Sequence, residues 1–219
     1  MDISLPIKNS TDTIVVRKIF CMAKNYAKHI EETASEKPDM PILFIKPDTA
    51  IIKNGGTVML PEESNNVHYE IEMVCIIGKS GKHINFENAM DYVYGYAVGI
   101  DVTLRDIQLQ AIKSGHPWSI AKGFDTSAPI SEIIPKEKVD DPYNLGLRLW
   151  LNGELKQDGN TNNMIFKLEE IISYLSRFFT LERGDLIYTG TPSGIGPILS
   201  GDRIRAEISN LVTLDVQIQ

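Results

Sequence analysis

The chain has 219 residues, of which 42% are hydrophobic and 23% are charged, and this composition suits one large globular domain. Its net charge of -7 argues against a nucleic-acid-binding protein, because binding to phosphates needs a basic surface. The two cysteines, Cys21 and Cys75, lie in apolar sequence and indicate buried thiols in a reducing compartment.

The N-terminal segment has neither the basic region nor the apolar region of a signal peptide. No apolar run approaches the roughly 18 residues that a membrane span needs. We therefore expect a cytoplasmic protein that binds neither membranes nor nucleic acids.

Strand and turn signals dominate the first 60 residues. The β-branched run at 13–20 predicts strand, residues 25–32 predict a short helix, and the polar stretch 33–40 predicts a loop. An apolar strand at 41–47 follows, and the turn signal Asn54-Gly55-Gly56 comes shortly after it.

The stretch 67–77 alternates in a way that predicts one strand with an unusual second face. Its odd-numbered side chains are apolar throughout. The other face begins with His68, Glu70 and Glu72 and then becomes apolar. A half-exposed strand would stay polar along its solvent face, so we expect this strand to run from a polar opening into a core.

The remaining elements follow from turn signals and periodicity. In chain order they are a helix at 85–94, a strand at 94–101, a helix at 103–113, a hairpin at 148–157 that turns at Asn152-Gly153, a turn at Asp158-Gly159, a helix at 168–179, a strand at 185–189 and a closing hairpin at 203–218. Strands outnumber helices and do not alternate with them regularly, which argues against a parallel βαβ sheet. We predict a mainly β fold with peripheral helices (α+β), in the form of a roll or barrel.

Three carboxylates are the first candidates for a functional site. Glu70 and Glu72 project from one strand face with their Cβ atoms roughly 6–7 Å apart, so their charges repel. A hard cation such as Mg²⁺ or Mn²⁺ would neutralise them, and an exposed strand end paired with lysines is the alternative. Asp101 ends an apolar strand, where it either caps the next helix or joins a site. Together the three predict an octahedral Mg²⁺ site, with His68 beside it rather than in it.

Two further patterns could serve catalysis. His29 and Glu32 are three residues apart on a predicted helix, where a carboxylate can orient an imidazole as a general base, although an incidental surface pair fits as well. Lys122 lies between apolar residues, where it either stabilises a substrate anion or extends to solvent.

The glycine-rich stretch 188–196 follows a predicted strand. It lacks the G-K-[ST] ending of a phosphate-binding loop. It could instead offer backbone N–H groups and threonine hydroxyls to a substrate carboxylate, or form a simple tight turn.

In this order the motifs resemble the fumarylacetoacetate hydrolase family over nearly the whole chain. The matching motifs are N25-Y-x-x-H29-x-x-E32, F44-x-K46-P47, H68-Y-E70-I-E72, G99-x-D101-V-T-x-R105-D106-x-Q108, K122-G-F-D125 and G184-D-L-I-Y-T189-G-T-P192-S-G-x-G196. The short length is most similar to the acylpyruvase and fumarylpyruvate hydrolase branch. Ala23-Lys24 departs from the family's usual Gly-Arg, and Arg183 from its usual proline.

The resemblance implies a mixed β-sandwich roll, a single catalytic domain over 1–219 with a lid near 25–38, and a homodimer. It implies Mg²⁺ or Mn²⁺ bound by Glu70, Glu72 and Asp101. It also implies catalytic roles for His29, Glu32 and Lys122, and substrate contacts from Tyr26, Arg105, Gln108 and Thr191.

The activity that the resemblance implies is hydrolysis of a C–C bond in a β-diketo acid of the acylpyruvate or fumarylpyruvate type. Oxaloacetate decarboxylation or a 2-hydroxymuconate-type isomerisation in the same site is the alternative. A protein that binds ligands with a divalent ion but does not catalyse belongs to a different class, and the His29–Glu32 pair argues against it.

Overall fold

The computed structural model describes residues 3–219, and most of their regular structure is β-strand. The largest sheet has eight strands: β3 (Ile19–Ala23), β4 (Ile42–Lys46), β5 (Ile51–Lys53), β8 (Ile71–Ile77), β9 (Val93–Ile100), β11 (Ala128–Ile130), β12 (Ile134–Pro135) and β15 (Leu186–Tyr188). Its spatial order is β4-β3-β15-β8-β9-β11-β5, with β12 paired to β9. Parallel and antiparallel pairs are mixed, as the β15 pairings with β3 and β8 illustrate.

A second sheet has five strands: β6 (Thr57–Val58), β13 (Gly146–Leu151), β14 (Glu154–Asn160), β17 (Arg203–Ile208) and β18 (Val212–Ile218). The two small sheets contain β1 (Ser4–Pro6) with β2 (Thr13–Val15), and β7 (Val67–Tyr69) with β10 (Thr103–Leu104) and β16 (Gly196–Pro197). The α-helices within 3–219 are α1 (Ala27–Glu32), α2 (Arg105–Ser114), α3 (Ser119–Gly123) and α4 (Leu168–Phe178). The predicted mixed roll with few helices is confirmed.

The strand β8 is buried on both faces, which explains its composition. Its odd-numbered side chains, such as Met73 and Cys75, join the larger hydrophobic cluster, which also contains the inner face of the five-stranded sheet and of α4. Its even-numbered side chains Val74 and Ile76 join a second cluster on the other side of the sheet. Each such side chain contributes about 1.5–3 kcal/mol when it is fully buried. The apolar end of the predicted strand therefore reflects burial of both of its faces.

The prediction of one continuous strand over 67–77 is wrong in one respect, because the strand is interrupted at Glu70. The segment before it, β7, pairs with β10 and β16, whereas β8 pairs with β9 and β15. At the break, the carbonyl of Glu70 accepts a hydrogen bond of 2.8 Å from the backbone N–H of Asp101. The interruption therefore brings the end of β9 to the glutamates.

Two other local predictions are corrected and one is confirmed. Asp158-Gly159 lies inside β14, where a Cβ at Gly159 would be 2.5 Å from Pro192, so the glycine permits close packing rather than a turn. The helix predicted at 85–94 is a 3₁₀ helix over Phe86–Tyr92. Asn152 and Gly153 have φ values of 53° and 85°, as a type I′ hairpin turn requires.

The predicted burial of the two thiols is confirmed, since Cys21 and Cys75 are both free and buried. Within residues 3–219 no helix is long and apolar enough to cross a membrane.

Candidate active site

A cavity of about 110 Å³ lies where the three carboxylates meet the helices α1, α2 and α3. Eight of the ten site residues predicted from the sequence line it: His29, Glu70, Glu72, Asp101, Arg105, Gln108, Lys122 and Thr191. The other two, Tyr26 and Glu32, are not among its lining residues. The larger surface groove of about 660 Å³ is on the five-stranded sheet and contains none of these residues.

The backbone brings the carboxylates together. Glu72 lies opposite Gly99 in the pairing of β8 with β9, and Asp101 follows directly after β9. One oxygen from each of Glu70, Glu72 and Asp101 lies within 4.8 Å of the others, and all three residues are buried. The alternative in which Asp101 caps α2 is wrong, because that helix begins at Arg105 with Leu104 at its N-cap.

Cationic side chains neutralise two of the three carboxylates. Lys122 Nζ lies 2.9 Å from Glu70 Oε2 and 2.6 Å from Asp101 Oδ2, and Arg105 forms an ion pair with Glu70. Burial by itself would raise the pKa of Glu70, but the charges of Lys122 and Arg105 outweigh it and hold that pKa well below its usual range. Burial by itself would lower the pKa of Lys122, but the negative charges of Asp101 and Glu70 raise it, so Lys122 is charged at neutral pH.

Glu72 differs from its neighbours because it has no ion pair with any lysine or arginine of the described chain. Its Oε2 accepts a hydrogen bond of 2.7 Å from the backbone N–H of Gly190. Burial and the negative charges of Asp101 and Glu70 raise the pKa of Glu72 well above its usual value. A buried carboxylate beside two others is the environment that a hard divalent cation stabilises, so these oxygen donors fit such an ion.

The hydroxyl of Tyr26 is a second polar group that the described protein leaves without a partner. Tyr26 is buried, and its Oη makes no hydrogen bond with residues 3–219. Burial and the nearby charge of Glu72 raise its pKa, so the hydroxyl is protonated and can donate. It is therefore a buried donor to which residues 3–219 offer no acceptor.

His29 and Glu32 form the predicted pair on α1. His29 Nδ1 lies 3.2 Å from Glu32 Oε2, while Glu32 Oε1 accepts a 3.0 Å hydrogen bond from the backbone N–H of Gly194. Because Nδ1 is engaged by the carboxylate, Nε2 is the ring nitrogen available for proton transfer. The pair is thus anchored to the glycine-rich loop rather than lying on an open helix surface.

Arg105 and Gln108 are three residues apart at the start of α2. Arg105 Nη1 donates a hydrogen bond of 2.6 Å to Gln108 Oε1 while Nη2 reaches Glu70. This arrangement places a positive charge beside Glu70 at the cavity. His68, in contrast, does not line the cavity: its Nε2 lies 2.8 Å from Asn66 Oδ1, and burial together with the Arg105 charge lowers its pKa to about 4.

Lys46 is a residue of the site to which the sequence assigned no role. Its side chain is fully buried, its Nζ lies 2.8 Å from Asp101 Oδ1, and it also donates to the carbonyl of Ser127 at 3.0 Å. A buried lysine next to a carboxylate is stable only when the pair is well coordinated by such hydrogen bonds. The available signal was a single lysine in an otherwise apolar strand just before Pro47.

Comparison with known proteins agrees with this architecture. The family model described as fumarylacetoacetate (FAA) hydrolase C-terminal matches residues 18–219. The chain belongs to the fumarylacetoacetate hydrolase family.

Its relatives carry enzyme names of several kinds. The mitochondrial oxaloacetate tautomerase FAHD1 of Mus musculus is 46% identical over 205 residues, which cover 93% of this chain and 92% of that protein. Fumarylpyruvate hydrolase from Pseudomonas aeruginosa, solved with Mn²⁺ and pyruvate, has a TM-score of 0.95 and 39% identity, and the match covers 99% of this chain and 95% of the other. The 2-hydroxyhepta-2,4-diene-1,7-dioate isomerase from Mycobacterium marinum has a TM-score of 0.82 and 36% identity over 94% of this chain and 75% of its own.

Proposed function

We propose that this protein is a divalent-cation-dependent enzyme that acts on small 2-oxo acids through their enol or enolate form. One observation carries the proposal: the His29–Glu32 pair and the buried carboxylates meet at the same cavity. A protein that only binds such acids would not need an oriented imidazole next to the cation-binding oxygens.

Glu70, Glu72 and Asp101 would hold the cation, and their three carboxylates suit a hard ion such as Mg²⁺ or Mn²⁺. When bound, the ion supplies Lewis-acid polarisation of the 2-oxo acid. The Mn²⁺ and pyruvate in the Pseudomonas aeruginosa relative support both the class of ion and the class of ligand.

The charged residues around the cavity suit a developing enolate. Lys122 and Arg105 place two positive charges beside Glu70, where they stabilise negative charge on a bound 2-oxo acid. His29 moves the proton, and Glu32 orients the imidazole and stabilises its charged form. Residues 25–38 act as a lid that excludes bulk water during the reaction.

Hydrolysis of an acylpyruvate is our first candidate reaction. His29 takes a proton from water, and the resulting hydroxide attacks the C4 carbonyl. The C3–C4 bond then breaks, its electron pair passes to the departing pyruvate enolate, and the proton on His29 returns to C3. The products are pyruvate and a carboxylic acid, and the fumarylpyruvate hydrolase from Pseudomonas aeruginosa supports this version.

Oxaloacetate tautomerisation is the second candidate, because the Mus musculus relative at 46% identity carries that name. Here the same imidazole transfers a proton between C3 and the enol oxygen, and no water attacks. Decarboxylation and muconate-type isomerisation would pass through a related enolate and remain alternatives.

The other residues that line the cavity suit a substrate with a short apolar chain and a distal charge. Leu109, Ile112 and Trp118 supply apolar surface to the cavity. Lys24 also lines it and forms no ion pair with other described residues. We therefore expect fumarylpyruvate, with its second carboxylate, to be a better substrate than acetylpyruvate.

The proposal is tested with ultraviolet assays of fumarylpyruvate, acetylpyruvate and oxaloacetate in the presence of Mg²⁺ or Mn²⁺. We expect His29→Ala to lower kcat by about 10²–10⁴-fold, the range for loss of a general base. The exposed neighbour on the same helix provides the control, since Lys28→Ala should leave kcat unchanged. Unchanged turnover of all three acids by His29→Ala, or no cation-dependent turnover by the unmodified protein, would contradict the proposal.

A further inference from the structure

Gln157 is a fully buried amide in β14 that joins two separate parts of the site. Its Oε1 accepts a hydrogen bond of 2.9 Å from the backbone N–H of Ile71, the residue between the two glutamates. Its Nε2 donates to Thr191 Oγ1 and to the carbonyl of Pro192, both at 2.9 Å. The amide therefore connects the carboxylate strand to the loop that follows β15.

The orientation of this amide is determined by its partners. The N–H of Ile71 can only donate and the carbonyl of Pro192 can only accept, so Oε1 must face the former and Nε2 the latter. Exchanging the amide oxygen and nitrogen would break both bonds. It follows that Thr191 Oγ1 is an acceptor in its bond with Gln157.

The hydroxyl hydrogen of Thr191 is consequently left for another partner. A threonine hydroxyl has one hydrogen to donate, and within residues 3–219 that hydrogen has no protein acceptor. Thr191 lines the cavity and is 3% exposed. This hydrogen is therefore available to an acceptor in the cavity.

We propose that Gln157 is a positioning residue that commits the hydroxyl of Thr191 to donate a hydrogen bond to the anionic end of a bound 2-oxo acid. The inference rests on the proposed function for the class of ligand. It adds a residue that touches neither the carboxylates nor the cavity. Gln157 acts because its Nε2 can only donate, so that Thr191 Oγ1 accepts there and the threonine hydrogen must point away from Gln157.

The test measures pyruvate binding by calorimetry in the presence of saturating Mn²⁺ for Thr191→Val, Gln157→Met and the double variant. We expect each single variant to weaken pyruvate binding by about tenfold, the effect of losing one hydrogen bond to a charged group. The double variant should be no weaker than Thr191→Val alone, because Gln157 acts through that hydroxyl. Thr191→Ser, which retains the hydroxyl, should bind pyruvate within about threefold of the unmodified protein.

Thr161→Val is the matched control. Thr161 follows directly after β14, is fully buried, and bonds the backbone of Leu145 and Pro142 at 2.9 and 2.8 Å, but lies outside the cavity. We expect its replacement to lower stability without changing the affinity for pyruvate. A loss of affinity in this control as large as that in Gln157→Met would overturn the proposal.

Mn²⁺ affinity without pyruvate separates positioning from damage to the carboxylate strand. We expect it to stay within about threefold in Gln157→Met, since the three carboxylates are retained. Additive losses in the double variant, or a Mn²⁺ affinity that falls together with that for pyruvate, would show a merely structural role.

If Gln157→Met does not fold, Gln157→Glu replaces it. The glutamate keeps an oxygen that accepts the hydrogen bond from Ile71. We expect the same coupling with Thr191→Val. An unmodified protein that binds Mn²⁺ but not pyruvate would contradict the proposed function itself. Pyruvate binding without coupling would contradict only the role of Gln157.

Discussion

The burial of Glu72 should destabilise the folded protein without metal, and the same burial should favour the proposed cation. It is buried without a lysine or arginine partner in the described chain, and Asp101 and Glu70 lie beside it. An unpaired buried charge costs free energy in the folded state unless an ion compensates it. The cost of burying Glu72 would thus be offset when the proposed cation binds.

We therefore expect Glu72→Gln to raise stability in the absence of metal and to reduce the stabilisation that metal provides. In chelator, the variant should unfold at higher urea concentration, with a gain of about 1–4 kcal/mol in the free energy of unfolding, because a neutral amide avoids the cost of burying a carboxyl group whose pKa is raised by burial. Mn²⁺ should raise the melting temperature of the unmodified protein much more than that of the variant.

The exposed strand residue Glu154 provides the control, since Glu154→Gln should change neither quantity. A Glu72→Gln variant that is less stable in chelator, yet equally stabilised by Mn²⁺, would argue against the cation site.

At the same scale, individual residues differ in how far the sequence predicted them. The pair Glu70 and Glu72 was conspicuous because two carboxylates interrupt an apolar alternation. Gln157 was not, because its neighbours Lys156 and Asp158 are polar and the hairpin pattern resembles a solvent-exposed strand. Its burial depends on packing against Thr191 and Pro192, more than 30 residues away in sequence.

At the scale of elements, the loop 189–194 connects the parts of the site. The N–H of Gly190 bonds Glu72, the hydroxyl of Thr191 lies at the cavity, and the N–H of Gly194 bonds Glu32. The sequence left open whether this stretch was a simple turn or a donor of N–H groups. The donor interpretation agrees with the structure, but the acceptors are protein carboxylates.

Gly194→Ala tests the importance of this loop. Gly194 has a φ of +99°, and a Cβ there would lie 2.3 Å from the carbonyl oxygen of Lys156. We expect a loss of about 1–2 kcal/mol in unfolding free energy from backbone strain and about 1–3 kcal/mol more from the clash. The displaced N–H would also release Glu32, so kcat should fall; urea unfolding and the ultraviolet assay measure the two effects.

Gly201 provides the matched control for that substitution. Its φ of +95° is similar, but a Cβ there would meet no atom within 4 Å. Gly201→Ala should therefore show the backbone strain alone and retain full activity. If the two substitutions changed stability and kcat equally, the contacts of Gly194 with Lys156 and Glu32 would have no particular importance.

For the whole molecule, the resemblance to the family predicts a homodimer. Several large apolar side chains remain exposed in the single chain, including Met40, Ile45 and Ile120 at 59%, 45% and 71% exposure. Association would remove apolar surface of this kind from water. We expect light scattering coupled to gel filtration to give twice the chain mass of 24.5 kDa at micromolar concentration. A mass equal to that of one chain over the same range would contradict the prediction.

The sequence by itself determined the local features of this protein. Periodicity and turn residues predicted most strands, the helices α1, α2 and α4, and the hairpin at Asn152-Gly153, because these depend on neighbours in the chain. The order of the motifs also indicated the family and the residues of the candidate site.

Only the tertiary structure decided how these features combine. It interrupts the strand at Glu70, pairs Lys46 and Lys122 with Asp101, and leaves Glu72 without a cationic partner among residues 3–219. Contacts of this kind join residues from different strands and helices, so no local pattern encodes them. The physical reason is that burial and charge balance depend on which distant segments pack together, whereas periodicity reports only which side of each segment is buried.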